Sequence, residues 1–394
     1  MGEDRQPLLD ALLAATHLVV PDELPDLIQR FGRRLGSATS VLYLVDLDQR
    51  WLVPLQLSED PERTALPIDG TLAGRSFRSL DIVDASDQSA PATWLPVVDG
   101  TERLGVLHLV FHGDRRGDRD EVKAFAGLIA ELLMTKQAYG DFIEITRRRR
   151  PLTVTAELLW QLLPPLTFGT DDLVIAAAMT PTSTIGGDAF DYGVDCTHAQ
   201  IAIFDAVGHD LTAGLLATTA IAAFRNARRS KLDQQQTMAL IGATIGDQFG
   251  DALFVTGIVA WLDIEHGSFS WATAGHPPPL LIRKGRVVKE LHGEPGMPFG
   301  IGPGSATRVE QLEPGDRVLL YTDGVTEARS SSGELFGVSD LSDIISHGAD
   351  DLPPPETMRL LMHAIEAHNA GVMRDDATAV MIEWRGRGSG QLDV

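Results

Sequence analysis

The chain has 394 residues, too many for one ordinary core and suited to two domains. Its 55 acidic residues against 33 Lys and Arg give a formal charge of −22, which repels a phosphate backbone and excludes non-specific nucleic-acid binding. An apolar share of 44% excludes a disordered chain, and the single cysteine, Cys196, excludes an intrachain disulfide or a Cys-based zinc cluster.

That cysteine usage predicts a reducing, cytoplasmic setting. No membrane association is expected. The longest apolar stretches, 215–224 and 252–262, are about half the roughly 20 residues of a membrane helix and read as core elements. Residues 1–6 lack the basic and apolar regions of a signal peptide.

Residues 7–35 read as helical, with Leu8, Leu9, Leu12 and Leu13, then Leu24, Leu27, Ile28 and Phe31 at helical spacing and Pro21 breaking the run. Strands follow at 40–46 and 51–55, and 92–98 with 104–111 predict a hairpin about Asp99-Gly100. A long helix begins near Asp118. This order suggests a small α/β sensor module. From 119 to 165 a helical connector is expected. Val122, Phe125, Ile129, Leu132 and Leu133 form an apolar stripe that fits an intramolecular seam better than a coiled coil. Arg147 to Arg150 read as a solvated face, with docking onto an acidic neighbour as the sharper alternative. Pro151 ends that helix, another covers 153–163, and Pro164-Pro165 stops it.

Beyond 166, strands are expected at 172–180, 200–205, 252–263, 268–273, 280–283, 317–322 and 378–383, and helices at 211–231, 234–249 and 356–368. Short turns between the later strands favour an antiparallel layered fold over a doubly wound parallel sheet. Residues 386–394 read as a disordered tail.

Carboxylates in this third region sit at strand ends or in glycine turns: Asp188 and Asp191 in GGDAFD, Asp205 closing an apolar strand, Asp323 before Gly324, and Asp375-Asp376 before the last strand. One Asp-Gly after a strand is an ordinary turn. Four such junctions in one domain need a compensating cation if they meet, because clustered carboxylates repel one another. Oxygen donors with little His and no Cys nearby suit Mg²⁺ or Mn²⁺ rather than Zn²⁺. The residues alone leave two readings open: a divalent-metal site for phosphoryl chemistry, or a set of ordinary turns.

The blocks GGDAFD (186–191), FDAVGHD (204–210), TAGHPPPLLI (273–282), GMPFGIGPG (296–304), GDRVLLYTDGVTEA (315–328) and RDDATAVMI (374–382) resemble, in order and spacing, the metal-dependent PPM protein serine/threonine phosphatases of the bacterial SpoIIE branch, with its RsbU-like enzymes. The resemblance covers about 153–384, and residues 152–165 resemble the linker helix that precedes this catalytic domain. More loosely, 66–77 and 95–111 resemble the central loop and late hairpin of GAF domains. The expected organisation is a two-domain α/β (α+β) chain. A GAF-like sensor spans 1–118, extending to about 136 with its last helix, and the connector spans 119–165. A PPM-type antiparallel β-sandwich flanked by helices spans 166–385, followed by the tail.

The resemblance implies two Mn²⁺ or Mg²⁺ ions held by Asp188, Asp205, the main-chain carbonyl of Ala206, Asp323 and Asp375, with Asp376 in reserve and Asp191 in a supporting role. It implies hydrolysis of phosphoserine or phosphothreonine by a dinuclear-metal-activated water without a phosphoenzyme. The implied substrate is a regulatory protein, a STAS-type anti-sigma-factor antagonist. The N-terminal module would regulate this, with or without a small ligand, and the connector would support a homodimer. His209 and His276, both in Gly-His turns, are expected to make structural hydrogen bonds rather than act as general acids. Val207 and Asp210 depart from the family's second block and Thr273 from its third; Asp210 fits a helix N-cap. The alternative is an inactive phosphatase-fold scaffold that binds a partner, which retention of the aspartates argues against.

Overall fold

The computed structural model describes residue 12 and residues 15–57, 63–87, 90–112, 118–250, 252–348, 352–369, 373 and 375–386. The tail expected after 386 and most of the first expected helix before Pro21 lie outside these residues. The chain divides into two compact units, Met1–Arg150 and Pro151–Asp393.

The first unit is built on one antiparallel sheet of six strands: β1 (Ser37–Val45), β2 (Trp51–Pro54), β3 (Leu66–Pro67), β4 (Val83–Asp87), β5 (Ala90–Asp99) and β6 (Glu102–Phe111), in the order β3-β2-β1-β6-β5-β4. Successive side chains of a strand face opposite ways. Leu42 and Leu44 therefore join the core under helices α1 (Leu24–Arg34) and α3 (Arg119–Lys136), while Val41, Tyr43 and Val45 meet Phe77 of α2 (Leu72–Ser79). The expected hairpin at 92–111 is present, with Asp99 paired to Glu102.

The segment expected as a connector is divided between the units. Its apolar stripe, Val122, Phe125, Ile129, Leu132 and Leu133, is buried in the core of the first unit, as is Ile143 of α4 (Phe142–Arg147). Asp118 caps α3 by accepting from the amides of Asp120 and Glu121. Of the four arginines, Arg147 donates through Nε to the carbonyl of Val45 at 3.2 Å, and the Arg149 guanidinium lies 4.7 Å from the centre of the Trp51 ring. Apolar burial, rather than a heptad seam, thus fixes 119–147.

The second unit begins with α5 (Val154–Leu162), capped by the Thr153 hydroxyl. In chain order follow β7 (Thr167–Gly169), β8 (Leu173–Thr180), β9 (Asp188–Val194), β10 (His198–Ala206), α6 (Leu211–Arg229), α7 (Gln234–Phe249), β11 (Val255–Asp263), β12 (Ser268–Ala274), β13 (Leu280–Arg283), β14 (Arg286–Glu290), β15 (Arg308–Gln311), β16 (Arg317–Tyr321), α8 (Asp323–Thr326), α9 (Gly337–Gly348), α10 (Pro354–His368) and β17 (Ala377–Trp384). They form two sheets, β15-β12-β11-β10-β9 and β14-β13-β16-β17-β8-β7, in which all pairs are antiparallel.

The sheets pack face to face. Leu173, Ile175, Val318, Leu320, Val380 and Ile382 of one share a core with Ile201 and Ile203 of the other. The opposite faces carry helices: Phe204 meets Phe224 of α6 edge-on, and Ala176, Leu319 and Met381 lie under α9 and α10. This is the antiparallel layered fold that the short turns favour and the helix-flanked sandwich that the resemblance implies, and its alternation decides which aspartates point between the sheets.

Candidate metal centre

Asp205 closes β10 and pairs directly with Asp188, which opens β9. Directly opposed residues of an antiparallel pair project to the same face, so both carboxylates point between the sheets. Asp323 follows β16 and Asp375 precedes β17, the neighbouring central strands of the other sheet. Four strand ends thus meet at one end of the sandwich. There, Asp205, Ala206, Asp323 and Asp375 line a cavity of about 310 Å³ together with Val207, Gly208, His209, Phe254 and Thr256. Asp188 is 2% exposed and sits behind this wall.

Two glycines allow the approach. A Cβ on Gly187 would lie 2.6 Å from the Ala206 carbonyl oxygen, and one on Gly324 would lie 1.8 Å from that of Asp376, so neither position has room for a side chain.

The electrostatics are those of anions lacking a counter-charge. Burial, then the charge of Asp323, Asp375 and Asp376, pushes Asp205 up to about 7. Burial also pushes Asp188 well above the usual carboxylate range, reinforced by Asp205 and Asp376, and raises Asp323, reinforced by Asp375. No Lys or Arg is among the residues that line the cavity. The carboxylates that converge here are anionic oxygen donors, which fit hard divalent cations of the Mg²⁺ or Mn²⁺ kind. Among the described residues, no three His, Cys, Asp or Glu side chains already form a ready-made cage; the carboxylates stand around the cavity.

The two aspartates of the last block have different surroundings. Asp375 lines the cavity. Asp376 accepts at Oδ2 from the amides of Gly186 (2.7 Å), Gly187 (2.8 Å) and, more weakly, Asp188 (3.5 Å). It therefore ties the GGD loop to the root of β17. Asp191, on the opposite face of β9, is bound by Arg225 (2.6 Å) and Arg228 (2.9 Å) of α6, away from the cavity. His276 is buried and held down to about 3 by desolvation, so it is neutral at pH 7, with Nδ1 2.9 Å from Thr256 Oγ1. His209 is exposed on the cavity wall. Asp210 caps α6 by accepting from the amides of Thr212 and Ala213.

Sequence reasoning did not single out Thr322 and Thr256. Thr322 donates from Oγ1 to Asp188 Oδ2 at 2.7 Å and also receives the amide of Thr378 at 3.0 Å. Its signal was alternation: it continues the series Val318 and Leu320, whose side chains face between the sheets.

Residues 196–385 match the family model described as stage II sporulation protein E (SpoIIE). That segment is a SpoIIE-family domain. Asp205, Asp323 and Asp375 fall inside the match, whereas Asp188 precedes it and joins the site through its pairing with Asp205.

Among curated proteins, the chain is 30% identical over 142 residues to Protein IcfG of Synechocystis sp., covering 35% of this chain and 22% of IcfG. It is 26% identical over 166 residues to the phosphoserine phosphatase RsbU of Bacillus subtilis, covering 41% of this chain and 49% of RsbU. The chain therefore spans half or less of the length of the curated relatives it matches. Among solved structures, it resembles the RsbU and RsbW domains of Rv1364c from Mycobacterium tuberculosis (24% identity, TM-score 0.48, 55% of this chain and 62% of that one). It also resembles the SiaA-PP2C domain of Pseudomonas aeruginosa (22% identity, TM-score 0.48, 53% and 85%). Among the described residues, no helix is long and apolar enough to cross a membrane.

Proposed function

We propose that the SpoIIE-family domain is a metal-dependent protein serine/threonine phosphatase acting on a phosphorylated regulatory protein. The observation that carries this reading is the convergence of Asp205, Asp323 and Asp375 on one cavity, with Asp188 behind them and no Lys or Arg in the lining. Asp188, Asp205, Asp323, Asp375 and the main-chain carbonyl of Ala206 would hold two Mn²⁺ or Mg²⁺ ions. Asp376 is the weaker candidate, because its Oδ2 already serves backbone amides. When bound, such ions supply Lewis acidity to a phosphoryl group and acidity to water.

The chain's own residues orient this site. Asp376 holds the GGD loop against the root of β17. The Thr322 hydroxyl occupies one oxygen of Asp188 and fixes its direction. His276, neutral and buried, anchors Thr256 at the cavity wall and carries no imidazolium proton for acid catalysis near pH 7.

The substrate we infer is a phosphorylated STAS-type anti-sigma-factor antagonist; support comes from the similarity to RsbU, named a phosphoserine phosphatase. We place the protein in the cytoplasm. The first unit, a six-stranded sheet with helices on both faces, is assigned as the GAF-like regulatory module, with a homodimer as the vehicle of regulation. Purified full-length protein should hydrolyse p-nitrophenyl phosphate with Mn²⁺ and lose this turnover in Asp205→Asn and Asp323→Asn. No metal-dependent turnover on this probe or on phosphoproteins would leave the scaffold reading standing.

A further inference from the structure

Helix α6 leads directly out of the cavity wall, and its first turns are apolar on the outer as well as the inner side. Its inner side is ordinary core: Ala213, Leu216, Ala217 and Ala220 are buried. Its outer side opens with Leu211 and Leu215, 48% and 44% exposed and one helical turn apart. Val207, on the cavity wall itself, is 37% exposed. A Cβ on Gly214 would lie 2.4 Å from the Thr155 methyl, so α5 packs against the buried side of α6 and leaves Leu211 and Leu215 uncovered. A surface helix normally turns polar residues outward. Large apolar side chains left exposed together beside a cavity mark a surface that meets a partner.

Two observations choose the occupant. The strip starts at the cavity wall, so a protein that presents a phosphorylated side chain to this cavity has Val207 and the first turn of α6 beside it. The second is charge. The chain carries −22, far more than two divalent ions in the cavity would offset, so long-range electrostatics does not draw in an anionic phosphoprotein. Preference for a protein over a small phosphate ester must then come from short-range apolar burial.

We propose that Val207, Leu211 and Leu215 form the docking strip for an apolar segment flanking the phosphorylated residue of the substrate. This rests on the phosphatase reading and specifies its substrate class: phosphoproteins with large aliphatic side chains beside the phosphoserine or phosphothreonine.

The test uses the full chain with Mn²⁺ and three probes: p-nitrophenyl phosphate, a phosphoserine peptide with leucines on either side of the phosphoserine, and the same peptide with serines in their place. Wild type should favour the leucine peptide by about tenfold or more in kcat/KM, the scale of a few methylenes in an apolar site. The double variant Leu211→Ser/Leu215→Ser should lose this preference to within about twofold while hydrolysing p-nitrophenyl phosphate at the wild-type rate, because neither leucine lines the cavity. Equal use of both peptides by wild type, or a preference that survives in the double variant, overturns the proposal. A double variant that keeps the preference but dissociates a dimer in sedimentation assigns the strip to a second copy of the chain and also overturns it. Hydrolysis of p-nitrophenyl phosphate without peptide preference sinks the strip alone. No hydrolysis of any probe sinks the phosphatase reading, and the strip with it.

Discussion

Asp188 and Asp191 stand three residues apart on β9 and are equally hidden, at 2% and 1% exposed, yet their surroundings are opposite. Odd spacing on a strand sends them to different faces. Asp191 turns toward α6 and is neutralised by the guanidinium groups of Arg225 and Arg228. Asp188 turns between the sheets and meets Asp205 and Asp376, with the hydroxyl of Thr322 among its donors. Asp316, buried beside Arg283, repeats the pattern of Asp191. Burial of a carboxylate is therefore not in itself the mark of a functional site. The mark is burial for which the protein supplies no counter-charge, since the cost of such an arrangement is offset only by something that binds.

Substitutions break the comparison most sharply. Asp205→Asn should reduce Mn²⁺-dependent hydrolysis of p-nitrophenyl phosphate by at least about 10²-fold, beyond what loss of a supporting contact costs. Asp191→Asn should leave the Mn²⁺ requirement unchanged and act on stability instead. Removing one partner of the buried cluster leaves two guanidinium groups that are partly solvated, at a cost of about 2 kcal/mol, or a melting point lower by roughly 4–8 °C.

The pH dependence of the metal-free protein sharpens the contrast. Asp205 is held at about 7 against an ordinary 3.8, so the folded state binds its proton more tightly than the unfolded chain does. Its contribution to stability is complete below about pH 4 and is lost as the pH rises through 7. Thermal melts in EDTA should show the melting point falling across that window, with a shallower fall in Asp205→Asn. Saturating Mn²⁺ should remove the fall; a flat EDTA profile would contradict the assignment. The smallest effect is expected for Thr322→Val. Loss of the hydroxyl that orients Asp188 should weaken Mn²⁺ binding about tenfold, with Thr322→Ser restoring it. Calorimetric titration reads this directly.

Much of the second unit was legible because its strands are short, apolar and separated by clear turn signals. The expected helix at 234–249 has the bounds found, and the capping pair Asp233 and Gln236 is visible in the sequence. The elements that escaped lack those signals. Strands β14 and β15 are exposed edges of polar composition, Arg-Val-Val-Lys-Glu and Arg-Val-Glu-Gln, with no buried face to impose alternation. Strand β9 was hidden because GGDAFD reads as a loop, although Phe190 and Tyr192 alternate with Asp191.

At the site, the candidate aspartates could be named from their places at strand ends. What their sequence positions could not supply was the partner of each, because partners come from distant strands. Asp376 meets residues 188 to 190 positions away, and Asp188 meets Thr322 134 positions away. The partners of the 119–165 segment were not legible for a related reason: an apolar stripe states that a face is buried but not against what. Here its first part belongs to the sheet of the first unit and its last helix to the second.

The most direct test is calorimetric titration of Mn²⁺ into the metal-free full-length chain and its Asp191→Asn and Asp205→Asn variants at pH 8. The account predicts the same binding isotherm for the wild type and Asp191→Asn, and loss of that binding in Asp205→Asn. Unchanged Mn²⁺ binding in Asp205→Asn, or no binding to the wild type, would contradict the claim that the uncompensated carboxylates between the sheets are the metal centre.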